Sequence, residues 1–595
     1  MEVSFVRFVW AVAAFVLAAV LIGAGIAQRT VFLGPKTQSE AISITGDAAY
    51  VLIDGAVLTS HDGAQTLRVQ QDGTIFAAYG RTSDLEAWLT TSAYTHVTVE
   101  GDVIGSETIA AQTPLADDVV APSPVGSDLW LDEFQQDDVL ITPLQLPEDM
   151  SLLIATDGVE PAPHDISVTW PTGVTTPWAG PLIVGGCILL LVGLVLYALG
   201  VRNARRARGP RRRGLPMVVT EPIDLAIEEA DKGVISATPT RRQLSRGTRP
   251  LLALPALGVS ALLFAGCSAD AWPQLGASPT PTPTESIVVP EDQGSPAVTE
   301  AQAARILQLV SDQVAAADEA ADPAAAALRL SGTALQTRET DYKLRDVKDH
   351  EALPAIPGTP LEVLLPEAFD GWPRTFFAVV AGGDEKADVI LSVTQDDPWS
   401  PYKVNAEAEL VSGPSLNLAP SYVGAIAIDP DSPFLVLPPA QLAAAYADLL
   451  TNGDDSEYAD LFDAAGDTFR TLIADNRVER LKAFNETGAE TGKLTFSAAA
   501  GDADPIALAT LDSGAIVAVT VTETDKVTPT DDDAVIKVTD NPTVKTLTGV
   551  TQSAEGFTTT WADQLFFFVP AQSSNQRIQL LGYSSALLSA EELKK

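Results

Sequence analysis

Apolar positions along the chain come in two forms, long unbroken runs and short alternating ones. Phe8–Ala27 and Ala179–Val201 are unbroken runs of about 20 residues, long enough as helices to cross a hydrocarbon core of about 30 Å. Trp178 and Tyr197 lie near the ends of the second run, where aromatic side chains favour a membrane interface. A third apolar run, Leu251–Ala265, follows a stretch containing Arg241, Arg242, Arg246 and Arg249. Between the first two runs the pattern shortens to AYVLI, AVLTS, TLRV and TIFAAY, punctuated by Asp54-Gly55, Asp62-Gly63 and Asp72-Gly73. Asp-Gly supplies the positive φ of tight hairpin turns, so these stretches predict a meander. Further strands are predicted at His96–Val99, Val139–Thr142, Ser151–Ala155 and Ile166–Trp170, giving an all-β domain packed as a sandwich or barrel.

Beyond Val298 the period changes. Thr299 and Gln302 have capping-box spacing, and Ala303, Ile306, Leu307, Val310 and Val314 share one helical face. Asp322-Pro323 predicts a second helix start. Strands follow at Thr375–Val380, Ala387–Thr394 and Tyr402–Val411. The order then repeats: a helix at Pro439–Leu450, another capped by Ser456 and running to about Phe484, then strands at Lys493–Ala498, Ile506–Thr510, Ala515–Thr522, Val544–Thr551, Gln564–Val569 and Arg577–Tyr583. Two rounds of helices followed by antiparallel strands predict a duplicated α+β architecture.

Charge turns these runs into a topology. The chain of 595 residues carries a formal charge of −41, which argues against a nucleic-acid partner. Between Ser39 and Pro177 the only basic residues are Arg68 and Arg81, whereas Arg202, Arg205, Arg206, Arg208, Arg211, Arg212 and Arg213 crowd the end of the second run. Basic residues close to a span hold that side in the cytoplasm. The expected layout is a cytoplasmic N-terminus (1–7), a transmembrane helix (8–27), an extracytoplasmic β domain (28–178), a second transmembrane helix (179–201), a basic cytoplasmic loop (202–249), a third span or internal export signal (250–266), a Pro/Thr-rich tether (267–297) and two α+β modules (298–430 and 431–595). The two cysteines, Cys187 and Cys267, allow no disulfide framework, and the four scattered histidines have no metal-ligand spacing, so neither metal nor cofactor is expected.

Phe264-Ala265-Gly266-Cys267 resembles a bacterial lipobox, which implies lipidation at Cys267 and, with the Pro/Thr tether behind it, a lipoprotein-like C-terminal half. Asp397-Pro398-Trp399 followed by Tyr402-Lys403-Val404 resembles a late strand of cystatin-like or NTF2-like folds. The arginine-flanked spans, the lipobox-like ending and the Lys-poor, Ala-rich domains together resemble actinobacterial-type cell-envelope proteins. That layout implies a membrane-anchored, multi-pass envelope protein displaying two extracytoplasmic domains that bind a protein, lipid or glycan. Asp429-Pro430-Asp431 after the apolar run Val423–Ile428 resembles the Asp-x-Asp site of some glycosyltransferases, so a glycan-modifying enzyme is the rival reading; an accessory subunit of a membrane complex is a third. Gly488–Leu494 lacks the spacing of a phosphate-binding loop, and no G-x-S-x-G nucleophile elbow occurs. No catalytic site is identified, and the non-enzymatic reading is preferred.

Overall fold

The computed structural model describes residues 2–207 apart from 102, 116–120 and 173–175, and residues 294–594 apart from 384–385, 412–414 and 532. The chain divides into two compact units, Met1–Gln38 with Trp170–Glu285, and Ser39–Thr169 with Ser286–Lys595. Elements are numbered in chain order.

The first unit is a helix pair, α1 (Glu2–Thr30) and α4 (Ala179–Ala207). Within them Phe8–Thr30 and Ala179–Arg202 are long and apolar enough to cross a membrane. Gly186, Gly193 and Gly200 recur on α4, and a Cβ at each would lie 2.6 Å from Ile22, 3.0 Å from Phe15 and 3.7 Å from Phe8 of α1. Large residues on one helix thus face glycines on the other at matching heptad intervals, running in opposite directions. This close backbone approach is how helices pack where no hydrophobic effect drives them together.

The second unit contains a β-rich lobe and a C-terminal lobe. In the β-rich lobe, strands β1 (Thr37–Ser43), β2 (Tyr50–Ile53), β3 (Gln65–Arg81), β4 (Tyr94–Glu100), β5 (Val103–Ile109), β6 (Asp132–Leu144), β7 (Met150–Ala155) and β8 (Asp165–Pro171) form one sheet. Among the described residues its order is β1-β8-β3-β7-β2-β4-β5, with β6 on the other edge of β3. The sheet is mixed, because β2 and β4 pair in parallel, and helices α2 (Gly55–Leu58) and α3 (Thr82–Trp88) accompany it. This differs from the expected all-β meander, because none of the three Asp-Gly pairs makes a hairpin. Asp62-Gly63 lies in the link from α2 to β3, and β3 does not pair with β2. At Asp54-Gly55 the chain enters α2, so AVLTS is not a strand; a Cβ on Gly55 would lie 2.3 Å from the Glu148 carbonyl oxygen, so only glycine fits. At Asp72-Gly73 the register shifts within β3, which keeps TLRV and TIFAAY in one strand. There Gly73, at φ +96°, donates its N–H to Asp138 Oδ1 of β6. Trp88, Trp130, Tyr50 and Phe76 fill the core beneath α3.

The C-terminal lobe carries helices α5 (Glu300–Ala320), α6 (Pro323–Ala326), α7 (Gly332–Leu344), α8 (Pro439–Asn452), α9 (Thr468–Thr487) and α10 (Pro542–Thr548). Its main sheet contains β9 (Leu361–Pro366), β10 (Arg374–Val380), β11 (Val389–Gln395), β12 (Lys403–Leu410), β13 (Gly492–Ala500), β14 (Ile506–Ala509), β15 (Ala515–Pro529), β18 (Phe557–Val569) and β19 (Gln579–Glu592). β16 (Ile536–Lys537) and β17 (Gln552–Ser553) pair separately. The long sheet runs β13-β15-β18-β19-β12-β11-β10-β9 with β14 on β15. The first half is a set of helices followed by the antiparallel meander β9–β12. The second repeats that order with β13, β15, β18 and β19, adding β14 on β15 and inserting α10 and the β16–β17 pair between β15 and β18. The last strands of the two halves, β12 and β19, pair antiparallel through Glu409–Tyr583 and Leu410–Gly582. One face is covered by α5 over the first half and by α8 and α9 over the second. The other face carries a core shared by both halves, in which Phe377 meets Phe566 edge-on at 5.7 Å.

The Thr299/Gln302 capping box forms as read. Asp467, not Ser456, caps α9 by accepting from Arg470 N–H. Val544–Thr551 is largely helix α10 rather than a strand, because Asn541 caps it and Pro542 opens its first turn.

Candidate functional site

The two lobes of the second unit meet along a seam of buried charge. Asp84, on α3 of the β-rich lobe, accepts from Arg374 Nη1 of β10 at 3.0 Å, and the side chains are 2% and 0% exposed. Arg81 holds the other oxygen of Asp84 at 2.9 Å and donates to the carbonyls of Pro296 and Ala297. Arg374 lies over the Trp372 ring at 4.2 Å, and the Trp372 indole donates to Gln395 Oε1. Nearby, Asp128 accepts from both terminal nitrogens of Arg329 and from the backbone N–H of Tyr402. Gln302 and Arg305, one turn apart on α5, donate to the carbonyls of Leu129, Trp130 and Leu131. The Trp399 indole donates to Trp88 O at 2.8 Å. Buried ions are costly unless paired and hydrogen-bonded; Asp84 with Arg374 and Asp128 with Arg329 are each paired across the seam, so it is specific to this partner surface.

A cleft of about 290 Å³ opens where β12 parts from β19. At its floor Glu407 stays in register with Leu391 of β11 but has no strand partner on the β19 side, where its N–H donates to Gln564 Oε1 at 3.0 Å and its carbonyl accepts from Ser584 Oγ at 2.7 Å. The Glu407 carboxylate accepts from Arg338 Nη2 at 3.3 Å. Arg338 is fully buried and is also held by Asp318 Oδ2 at 2.9 Å and Pro354 O at 3.0 Å. Burial pushes the Glu407 carboxyl above the usual carboxylate range, against the opposing pull of Arg338. The wall from Leu353 to Pro357 is fixed from behind. Asp341 accepts from Leu353 N–H, Arg345 and His350, and Ser311 Oγ donates to Ile356 O. Although burial opposes it, those bonds hold the Asp341 carboxyl below its usual range. The cleft is thus pre-formed.

Helix α9 stands on the second half through charge. Arg477 donates to Glu523, Arg480 donates to Asp525, and the Arg480 guanidinium lies over Trp561 at 4.8 Å. Beside them Asp563 is buried, accepts one hydrogen bond from Ser585 Oγ at 2.6 Å, and has no partner for Oδ2. Burial raises its carboxyl to about 7.

A family model described as a domain of unknown function (DUF8094) matches residues 294–592. The chain belongs to this family. No curated protein and no solved structure matches it. The DUF8094 match spans both halves of the C-terminal lobe, and with them the cleft and one side of the seam.

Asp429 and Asp431 both lie exposed in a DUF8094 turn, where Asp429 Oδ1 accepts from Asp431 N–H at 2.9 Å; neither lines the cleft. Asp397 also makes a turn, accepting from Trp399 N–H and Ser400 N–H, and so aims Trp399 at the β-rich lobe. Arg202, Arg205 and Arg206 lie in the last turns of α4. Arg208, Arg211, Arg212, Arg213, Cys267, the third apolar run and the tether to residue 293 lie outside the described residues. Sequence reasoning missed Asp84, Asp128, Arg329, Arg374 and Glu407. The one available signal was Arg81, a rare cation in an acidic region.

Proposed function

We propose that this chain is a membrane-anchored cell-envelope protein whose β-rich and DUF8094 lobes form one extracytoplasmic binding head. The observation that carries this reading is the Asp84–Arg374 pair, with the seam around it. Docked lobes occupy the same side of a membrane. The β-rich lobe lies in sequence between two helices long enough to span, and the DUF8094 lobe follows the second. If both helices span, the chain must cross once more between residues 208 and 293. Leu251–Ala265 is the apolar run in that interval suited to the task, as a third span or as an internal signal ending at the lipobox-like Cys267. The basic residues after α4 then lie in the cytoplasm and both lobes outside it.

Binding is favoured over catalysis because the cleft at β12 and β19 is lined by the carboxylates of Glu407 and Glu409 with apolar walls, while Asp429 and Asp431 form an exposed turn away from it. The helix-plus-meander plan of each half is also in keeping with cystatin-like or NTF2-like modules, which often serve as binding folds.

Single cysteines placed at Val159 and at Phe434, each 79% exposed, test the topology in a chain whose own cysteines are replaced by serine. Both positions should react with a membrane-impermeant maleimide in intact cells. Labelling of Phe434→Cys only after permeabilisation would overturn the proposal.

A further inference from the structure

We propose that the cleft at the parting of β12 and β19 is a binding site for a cationic primary amine on an alkyl arm, with Glu407 as its counter-ion. This deepens the binding-head reading and rests on it, yet it fails by different measurements.

The carboxylate is built into place. Arg338, with no exposure, fixes it from beneath, and both backbone polar groups of Glu407 are satisfied by Gln564 and Ser584. Its compensation is incomplete. Arg338 gives its shortest contact, 2.9 Å, to Asp318 and divides its second nitrogen between Pro354 O at 3.0 Å and Glu407 at 3.3 Å. A carboxylate removed from water and sharing its cation favours a second positive partner; the upward displacement of the Glu407 carboxyl agrees with that shortage. Glu409 adds a second negative charge to the lining against one Lys386. Pro354, Pro357 and Val389 offer apolar walls suited to methylenes rather than to a hydrated polyol. A lysine side chain of a partner protein and a small free amine share this chemistry.

The test uses the full chain in detergent and saturation-transfer NMR with 1-aminobutane, 1-butanol and butyrate at equal concentration. The amine should bind, and the alcohol and the acid should bind at least tenfold more weakly. Glu407→Gln should weaken amine binding at least tenfold while Gln564 and Ser584 keep their backbone bonds. Because burial raises the Glu407 carboxyl above its ordinary range, amine affinity should rise with pH as that carboxyl ionises. Should Glu407→Gln not fold, the exposed rim variant Lys386→Glu should strengthen amine binding. Equal binding of butanol, preference for butyrate, unchanged affinity in Glu407→Gln, or weaker amine binding in Lys386→Glu would each overturn the proposal. Repeating the titration with a lysine-containing peptide separates the sources: tighter binding than 1-aminobutane assigns the site to a protein partner, equal binding to a free amine.

Discussion

Replacing Asp84 by alanine removes the partner of a guanidinium that has no access to water. In the intact protein Arg374 Nη1 lies 3.0 Å from Asp84, its Nε reaches Gln395 Oε1 at 3.4 Å, and its Nη2 has no partner. Without Asp84 the cation keeps one long neutral hydrogen bond and the Trp372 face. Orphaning one member of a buried pair costs about 3–5 kcal/mol, roughly a hundred- to several-thousand-fold in an equilibrium constant at 1.4 kcal/mol per tenfold. Seam opening is the equilibrium that should take up that cost, since α3 and β10 are otherwise held within separate sheets. A specific protease site inserted within residues 270–285, with a tag at each end of the chain, makes opening measurable. After cutting in detergent, the wild-type DUF8094 lobe should remain bound to the N-terminal piece. Asp84→Ala, and more so Asp84→Ala with Asp128→Ala, should release it. Asp84→Leu combined with Arg374→Met should restore much of the retention, because an apolar pair removes both of these charges while Arg81, the other partner of Asp84, keeps the carbonyls of Pro296 and Ala297. Retention of Asp84→Ala as firm as wild type would refute the argument, as would loss of the wild-type lobe on cutting.

Other predictions follow from single sites. Asp563, with its carboxyl raised to about 7 from an ordinary 3.8, binds its proton more tightly in the folded state, so its contribution is full below about pH 4 and is lost as pH rises through 7. That displacement corresponds to about 4 kcal/mol at most; Asp563→Asn should raise the urea midpoint at pH 8 and narrow the difference between pH 5 and pH 8, and an unchanged difference would count against it. His96 is raised chiefly by its hydrogen bond to Asp54, so its contribution is present below its ordinary value and lost as pH rises through the folded one. Asp54→Asn should lower the His96 titration seen by NMR of the imidazole, and no movement would sink the assignment. In the helix pair, a side chain at Gly186 or Gly193 meets Ile22 or Phe15, so Gly186→Leu or Gly193→Leu should push α1 from α4. Cross-linking between cysteines at Phe8 and Tyr197, whose rings lie 5.4 Å apart, should then fall severalfold.

Local chemistry was readable and long-range chemistry was not. Thr299 and Gln302 cap α5 because both partners lie within one turn. Strands β10, β11 and β12 are legible as short apolar or alternating runs, whereas β9 is not among the expected strands, its first three positions being partly or fully exposed. Helix α7 escaped, because the side it buries mixes Thr333, Thr337, Arg338, Thr340 and Asp341 with Ala334, Tyr342 and Leu344 and so shows no clean apolar stripe. Val544–Thr551 reads as a strand from its apolar residues, whereas Asn541-Pro542 starts helix α10 at the first turn. The seam joins residues such as Asp84 and Arg374, nearly three hundred positions apart, and isolated aspartates and arginines in an acidic chain look like solvated surface. Only pairing across lobes distinguishes them, and pairing leaves no trace in a single sequence.

The place of the cleft follows from how the two halves of the sheet join. Each half ends in a strand, and the two final strands meet antiparallel, as equivalent edges do about a twofold axis. Such a joint needs only its central pairs; beyond Glu409 and Tyr583 the strands diverge under sheet twist. The halves then fill the gap differently. Thr340 of α7 donates to Leu588 O, and Thr333 meets Thr520 at 3.0 Å, so a helix of the first half wedges against strands of the second. Where the wedge ends, backbone groups of β12 would be left bare, and Gln564 and Ser584 supply the missing partners. That substitution keeps the backbone of Glu407 satisfied at the edge of the cleft it lines. A mutation of Gln564 to leucine should therefore act on Glu407 first: it removes the acceptor for the Glu407 N–H, a loss of about 1–3 kcal/mol for a buried donor. In hydrogen exchange the Glu407 amide should lose protection while the Leu391 amide, within the ladder of β11, keeps its own. Equal loss at both would mean that Gln564 supports the whole sheet rather than the floor of the cleft.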